Sequence, residues 1–271
     1  MAAVMVSKRF VGSYDHREYR PCPELSRHVD AYYVSGCRTR AQGRPLPGGM
    51  PNVFFHQGRT SLVSHGGTRT FRDGCYLVGP TTRLVRYMTP ARMDMVGVRF
   101  KPGKAFELLG LAGEAFADES VPLRESGSAC LKEVESRMTD APTAERRVQI
   151  LEEMLLRRLA AIPSGSDSRP ALAAVERIVS GHGKMNPGGL SEEIGISAQH
   201  LRRLFSRFVG FAPKTLARLC RFRWVAEHID RTQKPDWQDL VFDGGFYDQS
   251  HMIKEFHAIA GIVPGKFHLL G

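Results

Sequence analysis

Two stretches near the C-terminal end of this chain repeat one pattern, a helix, a glycine turn and a second helix, and few folds accommodate such a pair. In the first, Leu190-Ser191-Glu192-Glu193-Ile194-Gly195-Ile196-Ser197 leads into Ala198 to Val209. The spacing predicts a short helix that stops at Gly195, where glycine can enter the left-handed backbone a tight turn needs. Ser197 then caps the next helix, its hydroxyl accepting from free N–H groups. Leu201, Leu204, Phe205 and Phe208 form the inner stripe of that helix. Its outer face carries Gln199, Arg202, Arg203, Ser206 and Arg207.

The second stretch runs from Asp236 through Trp237, Leu240, Gly244, Gly245, Phe246 and Tyr247 to Asp248, followed by Gln249 to Ala260. Gly245 takes the place of Gly195, and Asp248 that of Ser197. Met252, Glu255 and Phe256 correspond to Leu201, Leu204 and Phe205, so one core position is polar. The outer face offers Gln249, His251, Lys254 and His257. Between the units, Pro213 opens a predicted long helix from Lys214 to Ile229 that would fix the two second helices relative to each other.

Each unit has the form of a helix-turn-helix, whose second helix enters the DNA major groove. Two such helices separated by about one DNA turn, roughly 34 Å, can dock on one face of a duplex. Charge agrees locally: between Gln199 and Arg223 there are seven basic residues (Arg202, Arg203, Arg207, Lys214, Arg218, Arg221, Arg223) and no acidic one. The overall balance, +10 from 38 basic and 28 acidic side chains, is less informative. Residues 169–271 carry only 14 basic against 10 acidic. Clustered Arg and Lys neutralise phosphates, and Arg and Gln can pair bidentately with guanine and adenine edges.

The chain divides at Ile162-Pro163-Ser164-Gly165-Ser166-Asp167-Ser168-Arg169-Pro170, where small polar residues flanked by prolines read as a linker. The expected organisation is an N-terminal unit over 1–162, a linker over 163–169 and a helical unit over 170–271. Short runs bounded by Gly and Pro predict strands at Asn52 to His56, Cys75 to Val78 and Arg83 to Met88. Met93 to Phe100 alternates, with Val96, Val98 and Phe100 on one face. Helices are expected at Lys104–Leu111, Cys130–Met138 and Thr143–Ala161. The last has Val148, Leu151, Leu155 and Leu159 at helical spacing, a stripe that could face its own domain or a second copy. The fold class is multidomain: an α+β N-terminal domain, a small β-barrel or sandwich with a helical tail, then an all-α domain with two helix-turn-helix units.

Residues 170–271 resemble the DNA-binding domain of the AraC/XylS family of bacterial transcriptional regulators. The resemblance is carried by Leu190…Ile194-Gly195-Ile196-Ser197, Leu201-Arg202-Arg203-Leu204-Phe205, Val209-Gly210-Phe211-Ala212-Pro213, Arg221-Phe222-Arg223, Gly245-Phe246-Tyr247-Asp248-Gln249-Ser250-His251 and Gly261-Ile262-Val263-Pro264-Gly265-Lys266-Phe267. It implies Gln199, Arg202 and Arg203 as base or backbone readers in the first unit, and Gln249, His251 and Lys254 in the second. It further implies promoter or operator DNA and RNA polymerase as partners, a role such as activator, and an N-terminal domain that senses a small-molecule effector or forms a homodimer. The chain departs from the family pattern at Val241, where a smaller residue is usual, and at Gly244, where a larger one is. Tyr76-Leu77-Val78-Gly79-Pro80-Thr81-Thr82-Arg83 and Val96-Gly97-Val98-Arg99-Phe100-Lys101-Pro102-Gly103 resemble an uncharacterised domain that precedes such DNA-binding domains.

Other chemistries leave weaker traces. The longest apolar runs are too short to span a bilayer, and Met1 to Phe10 lacks a signal-peptide core, so a cytoplasmic protein without a membrane partner is expected. Five scattered cysteines (Cys22, Cys37, Cys75, Cys130, Cys220) contain no CxxC pair and read as reduced thiols. His56 and His65 fall in the strand-rich half without ligand spacing, so no metal and no cofactor is expected. Lys101-Pro102-Gly103-Lys104 lacks the Walker pattern, and no catalytic triad or Gly-x-Ser-x-Gly is present, so no catalytic residue is assigned. The alternative is a small-molecule enzyme, or a DNA-repair enzyme that joins a reactive cysteine to a DNA-binding module.

Overall fold

The computed structural model describes residues 4–11, 14–64, 67–163, 167–184, 187–231 and 235–270. His65 and linker residues 164–166 lie outside them. In the N-terminal half, eleven strands among the described residues form two antiparallel sheets. The larger has the order β1 (Val4–Val11), β2 (Tyr14–Arg20), β3 (Val29–Cys37), β10 (Met93–Phe100), β5 (Asn52–Gly58), β8 (Gly74–Val78) and β11 (Ser120–Pro122). The smaller has the order β4 (Ala41–Gly43), β9 (Arg86–Thr89), β6 (Thr60–Ser64) and β7 (Gly67–Phe71).

The period of two decides what each face meets. On β10, Val96, Val98 and Phe100 join Tyr32, Val53, Phe55 and Leu77 in one core beneath the helices. Met93, Met95 and Arg99 face the opposite way, toward the smaller sheet, where Tyr33, Phe54, Leu62, Phe71 and Val78 make a second apolar cluster. Gly97 is required on that side, because a Cβ there would stand 2.7 Å from both Phe54 Cβ and Tyr33 Oη.

Three helices cover the outer face: α1 (Ala105–Leu109), α2 (Ala129–Asp140) and α3 (Ala144–Ala160). Thr143 caps α3, its hydroxyl accepting from Arg146 N at 3.1 Å. Val148, Leu151 and Leu155 are 0–3% exposed in the core of their own domain, with Leu159 packed at its edge. Each such side chain stabilises the fold by about 1.5–3 kcal/mol. The α3 stripe is therefore occupied, and a homodimer seam through it is excluded.

The expected strand at Arg83–Met88 is corrected to Arg86–Thr89. Leu84 and Val85 leave the sheet because they are buried elsewhere: Val85 in the cluster between the sheets, and Leu84 against the C-terminal helices.

Beyond the linker stand α4 (Arg169–Ser180), α5 (Pro187–Ile194), α6 (Ala198–Val209), α7 (Pro213–Arg231), α8 (Trp237–Gly244) and α9 (Gln249–Ala260). They build two cores on one beam. Leu216 and Ala217 of α7 pack with α4, α5 and α6, and Leu219, Phe222, Val225 and Ala226 with α8 and α9. Among the described residues no helix is long and apolar enough to cross a membrane.

Candidate nucleic-acid interface

The two turns are built alike. Gly195 has φ +79° and Gly245 φ +69°, the left-handed region where a side chain is strained. Ser197 Oγ accepts from His200 N at 3.2 Å, and Asp248 Oδ1 accepts from His251 N at 2.7 Å. These bonds satisfy donors that the first turn of each helix would otherwise leave free. Asp248 adds a negative charge at the positive end of α9.

On α6, Leu201, Leu204, Phe205 and Phe208 are buried, while Gln199, Arg202, Arg203 and Arg207 are exposed and Ser206 is half-buried. On α9, Met252, Phe256 and Ile259 are buried, and Gln249 and Lys254 are exposed. His251 is held differently from the others. Its Nδ1 accepts from Tyr247 N at 3.3 Å and its Nε2 lies 3.5 Å from Glu255 Oε1, so the ring is tied to its own turn.

Glu255, the polar residue at a core position, closes a network beneath α9. Its carboxylate accepts from Arg221 Nη2 at 2.8 Å and from Arg218 Nε at 3.2 Å. Arg221 also donates to Gly183 O at 2.8 Å. Arg223 donates to Glu227 Oε1 at 2.8 Å. The basic cluster thus splits. Arg218, Arg221 and Arg223 serve internal pairs, while Arg202, Arg203 and Arg207 on α6 and Lys214 at the start of α7 are exposed. Gly244 is also explained, since Phe246 occupies the space that its Cβ would need.

Sequence reading passed over two exposed aromatic side chains beside the second unit, Phe242 at 85% and Tyr247 at 92% exposure. Tyr247 immediately precedes the capping Asp248. Its position next to a cap was the signal that could have singled it out.

A second feature lies between the two sheets. A cavity of about 360 Å³ is lined by aromatic and methionine side chains, among them Tyr33, Phe54, Phe71, Tyr87 and Met95, and Arg223 of α7 reaches its wall. Its polar groups are chained together. Tyr14 Oη bonds Thr89 Oγ1, Thr89 bonds Thr60 Oγ1, and Thr60 bonds His56 Nε2, each at 2.9 Å. On the adjoining wall His16 bonds Ser35 Oγ at 2.6 Å, and Glu18 accepts from His16 at 3.2 Å and from Arg99 at 2.8 Å. The hydrogen bond from His16, with Arg99 adding to it, holds the Glu18 carboxyl down at about 2. Burial lowers the pKa of His56, which favours the neutral ring.

Burial raises the Cys75 thiol to about 12 and the Cys220 thiol to about 11, and it raises Cys22 and Cys37 as well. These four are poor nucleophiles near neutral pH. Among the described residues no group of three or more His, Cys, Asp or Glu could hold a metal ion.

Comparison with known proteins adds the following. Residues 190–268 match the family described as a helix-turn-helix domain, and residues 17–122 match a domain of unknown function (DUF6597). No curated protein matches the chain. Among solved structures it is similar to ToxT from Vibrio cholerae strain SCE256 with unsaturated fatty acid bound. There the identity is 11%, the TM-score is 0.45, and 86% of this chain and 92% of that chain are covered. It is also similar to ToxT from Vibrio cholerae O395 bound to (E)-4-(8-methylnaphthalen-1-yl)but-3-enoic acid. In that case identity is 12%, the TM-score is 0.47, and coverage is 88% of this chain and 98% of that one.

Proposed function

We propose that this chain, a DNA-binding regulator whose C-terminal region is a helix-turn-helix domain of the AraC type, reads duplex DNA with α6 and α9 together. A small molecule in the N-terminal cavity modulates that reading. The observation that carries the proposal is the pair of capped second helices, each with a buried apolar stripe and a polar outer face, mounted on the single beam of α7. In this reading the N-terminal domain runs to residue 162, residues 163–169 link, and 170–271 form the DNA-binding unit.

Gln199, Arg202 and Arg203 on α6, and Gln249, Lys254 and His251 on α9, meet base edges or backbone. Ser206, Arg207 and Lys214 stand nearer the phosphates. Phosphate contacts supply salt-sensitive affinity and base contacts the sequence preference. A protein that reads promoter DNA in this way would act in the cytoplasm and beside RNA polymerase. A homodimer would present four reading helices, and it must form through a face other than the α3 stripe.

Selection of bound DNA from a random pool tests the reading, followed by mobility-shift titration of the enriched duplex. Enrichment of one bipartite sequence supports it. Binding that is independent of sequence, or unaffected by Arg202→Ala and Lys254→Ala together, rejects it. The effector part is tested by thermal shift across a metabolite panel, since a ligand of the native state raises the melting temperature by mass action.

A further inference from the structure

The segment Gly79-Pro80-Thr81-Thr82-Arg83-Leu84-Val85 joins β8 to β9 and belongs to neither sheet. Gly79, Thr81 and Val85 form part of the cavity wall. Pro80 and Leu84 reach the helical half at two separate places. Pro80 Cγ lies 3.0 Å from where a Cβ on Gly210 would stand, and Gly210 is the left-handed residue that ends α6. Leu84 is 5% exposed and embedded with Phe222, Phe256 and Ile259 in the core of the second unit. Its N–H donates to Ile259 O at 2.9 Å, in the last turn of α9.

The segment is stiff between these contacts. Asp118 Oδ1 accepts from Thr82 N at 2.7 Å, and Asp118 Oδ2 accepts from Thr82 Oγ1 at 2.5 Å. Pro80 O accepts from Asp118 N at 3.1 Å, and Gly79 N donates to Glu119 O at 2.9 Å. A Cβ on Gly79 would fall 1.7 Å from Phe116 O, so only glycine allows the segment to lie this close. The turn that holds it down also supports α6, because a Cβ on Gly113 would stand 2.8 Å from Gly210 N.

Within the helical half the two cores meet through α7 and through the turn at Gly183-Lys184, which contacts Arg221 and Gly245. Each helix end packs on α7 within its own core, Val209 of α6 with Leu216 and Ile259 of α9 with Phe222, and the two ends lie in different cores. The segment from the other domain touches both ends, Pro80 at Gly210 and Leu84 at Ile259.

We propose that residues 79–85 are a strap that sets the separation of α6 and α9, and that Pro80, Leu84 and, through Thr82, Asp118 are positioning residues for two-site DNA reading. The proposal rests on the reading of DNA by both helices given above. Its physical basis is that a bipartite site is recognised at one spacing only if the protein's two readers are held at one spacing. The sequence Tyr76 to Arg83 acquires a role by the same argument: its glycine permits the close approach, and its threonine takes the anchor.

The test is random-pool selection with the full chain as wild type and as Leu84→Ala, Asp118→Gly and Asp118→Asn. Asp118 has φ +58°, which glycine accepts, so Asp118→Gly removes only the carboxylate. Asn keeps an acceptor for Thr82 N–H and tolerates that backbone, so it serves as the conservative rescue. Wild type and Asp118→Asn are expected to enrich two half-sites at one preferred separation. Leu84→Ala and Asp118→Gly are expected to enrich the same half-sites, with the preference for that separation lower by about fivefold or more, the low end of an ordinary coupling between sites. A general loss of stability would lower enrichment at every spacing alike and leave the preference intact, which overturns the strap.

An unchanged spacing distribution in both variants also overturns the strap while leaving the DNA reading in place. A wild type that enriches no sequence overturns the DNA reading itself. Amide hydrogen exchange then judges the strap without DNA. Faster exchange in the last turns of both α6 and α9 in the two variants supports it, and unchanged exchange overturns it.

Discussion

Glu255 and Arg221 face each other at 2.8 Å with only 13% and 12% of their side chains exposed, and this pair fastens α9 to the beam of α7. The pair sits where the first unit has Leu204, so the two units are alike in outline and different in their glue. A buried carboxylate is tolerated only because two guanidinium groups and Gly183 O complete the network.

Removing one partner should therefore cost more than removing both. Glu255→Ala leaves Arg221 buried and unpaired, and a loss of about 3–5 kcal/mol is expected. The double variant Glu255→Leu with Arg221→Met should lose much less, as apolar replacements of buried pairs often do. Urea unfolding of the three proteins measures this. Equal losses in the single and double variants would show that the network contributes packing rather than charge pairing.

The DNA contacts separate by salt dependence. If Arg202 meets a base edge as proposed, Arg202→Ala should weaken binding to the selected duplex by about 1–3 kcal/mol and relax preference at one base pair. If Lys214, exposed at the start of α7, meets a phosphate as proposed, Lys214→Ala should weaken all sequences alike and reduce the salt slope by about 1. Titrations at several salt concentrations with selected and scrambled duplexes distinguish the two. Arg218→Ala should behave like neither, because its guanidinium is engaged by Glu255.

How far the sequence discloses all this varies with where a residue finds its partners. Val96, Val98 and Phe100 alternate strictly, and Val148, Leu151 and Leu155 recur at helical spacing behind a capping Thr143, so strand and helix are both legible locally. Arg83 to Met88 is a short run bounded by Gly and Pro like the other strands, yet only Arg86 to Thr89 is strand. Leu84 answers to Ile259 in the other domain, and no local pattern records such a partner. Tyr14 to Arg20 conceals a strand for the opposite reason. Its charged residues read as solvent-facing, but alternation turns Tyr14, His16 and Glu18 toward the cavity. That Gln199, Arg202, Arg203, Arg207, Gln249 and Lys254 face outward is legible because the inner stripe defines the outer face. The pairing of Arg218 and Arg221 is not, since Glu255 lies more than a helix away.

The turns give a stability prediction with a built-in comparison. Ser197→Ala and Asp248→Ala each remove a cap, for about 1 kcal/mol. Gly195→Ala and Gly245→Ala force a Cβ into left-handed backbone, for about 1–2 kcal/mol. At Gly245 a Cβ would also stand 3.0 Å from Lys184 Cγ, whereas nothing lies within 4 Å of one at Gly195. Gly245→Ala should therefore melt lower than Gly195→Ala in a thermal scan, and equal melting temperatures would show that Lys184 swings aside freely.

The cavity wall supplies a pH prediction whose sign follows from Glu18. Its folded-state pKa is lowered from the ordinary 4.5 to about 2, first by the hydrogen bond from His16 and then by Arg99, against the upward pull of burial. A depressed carboxylate contributes stability that is fully present above its unfolded pKa and is lost as pH falls through the folded one. The window is thus from about 4.5 down to about 2. Glu18→Gln cannot titrate there, so its stability should fall less steeply with acid than the wild type's across that range. Denaturant midpoints at successive pH values read the two slopes. Parallel slopes would mean that Glu18 keeps its ordinary affinity for protons, and that the chain from Ser35 through His16 and Glu18 to Arg99 does not hold that wall of the cavity in place.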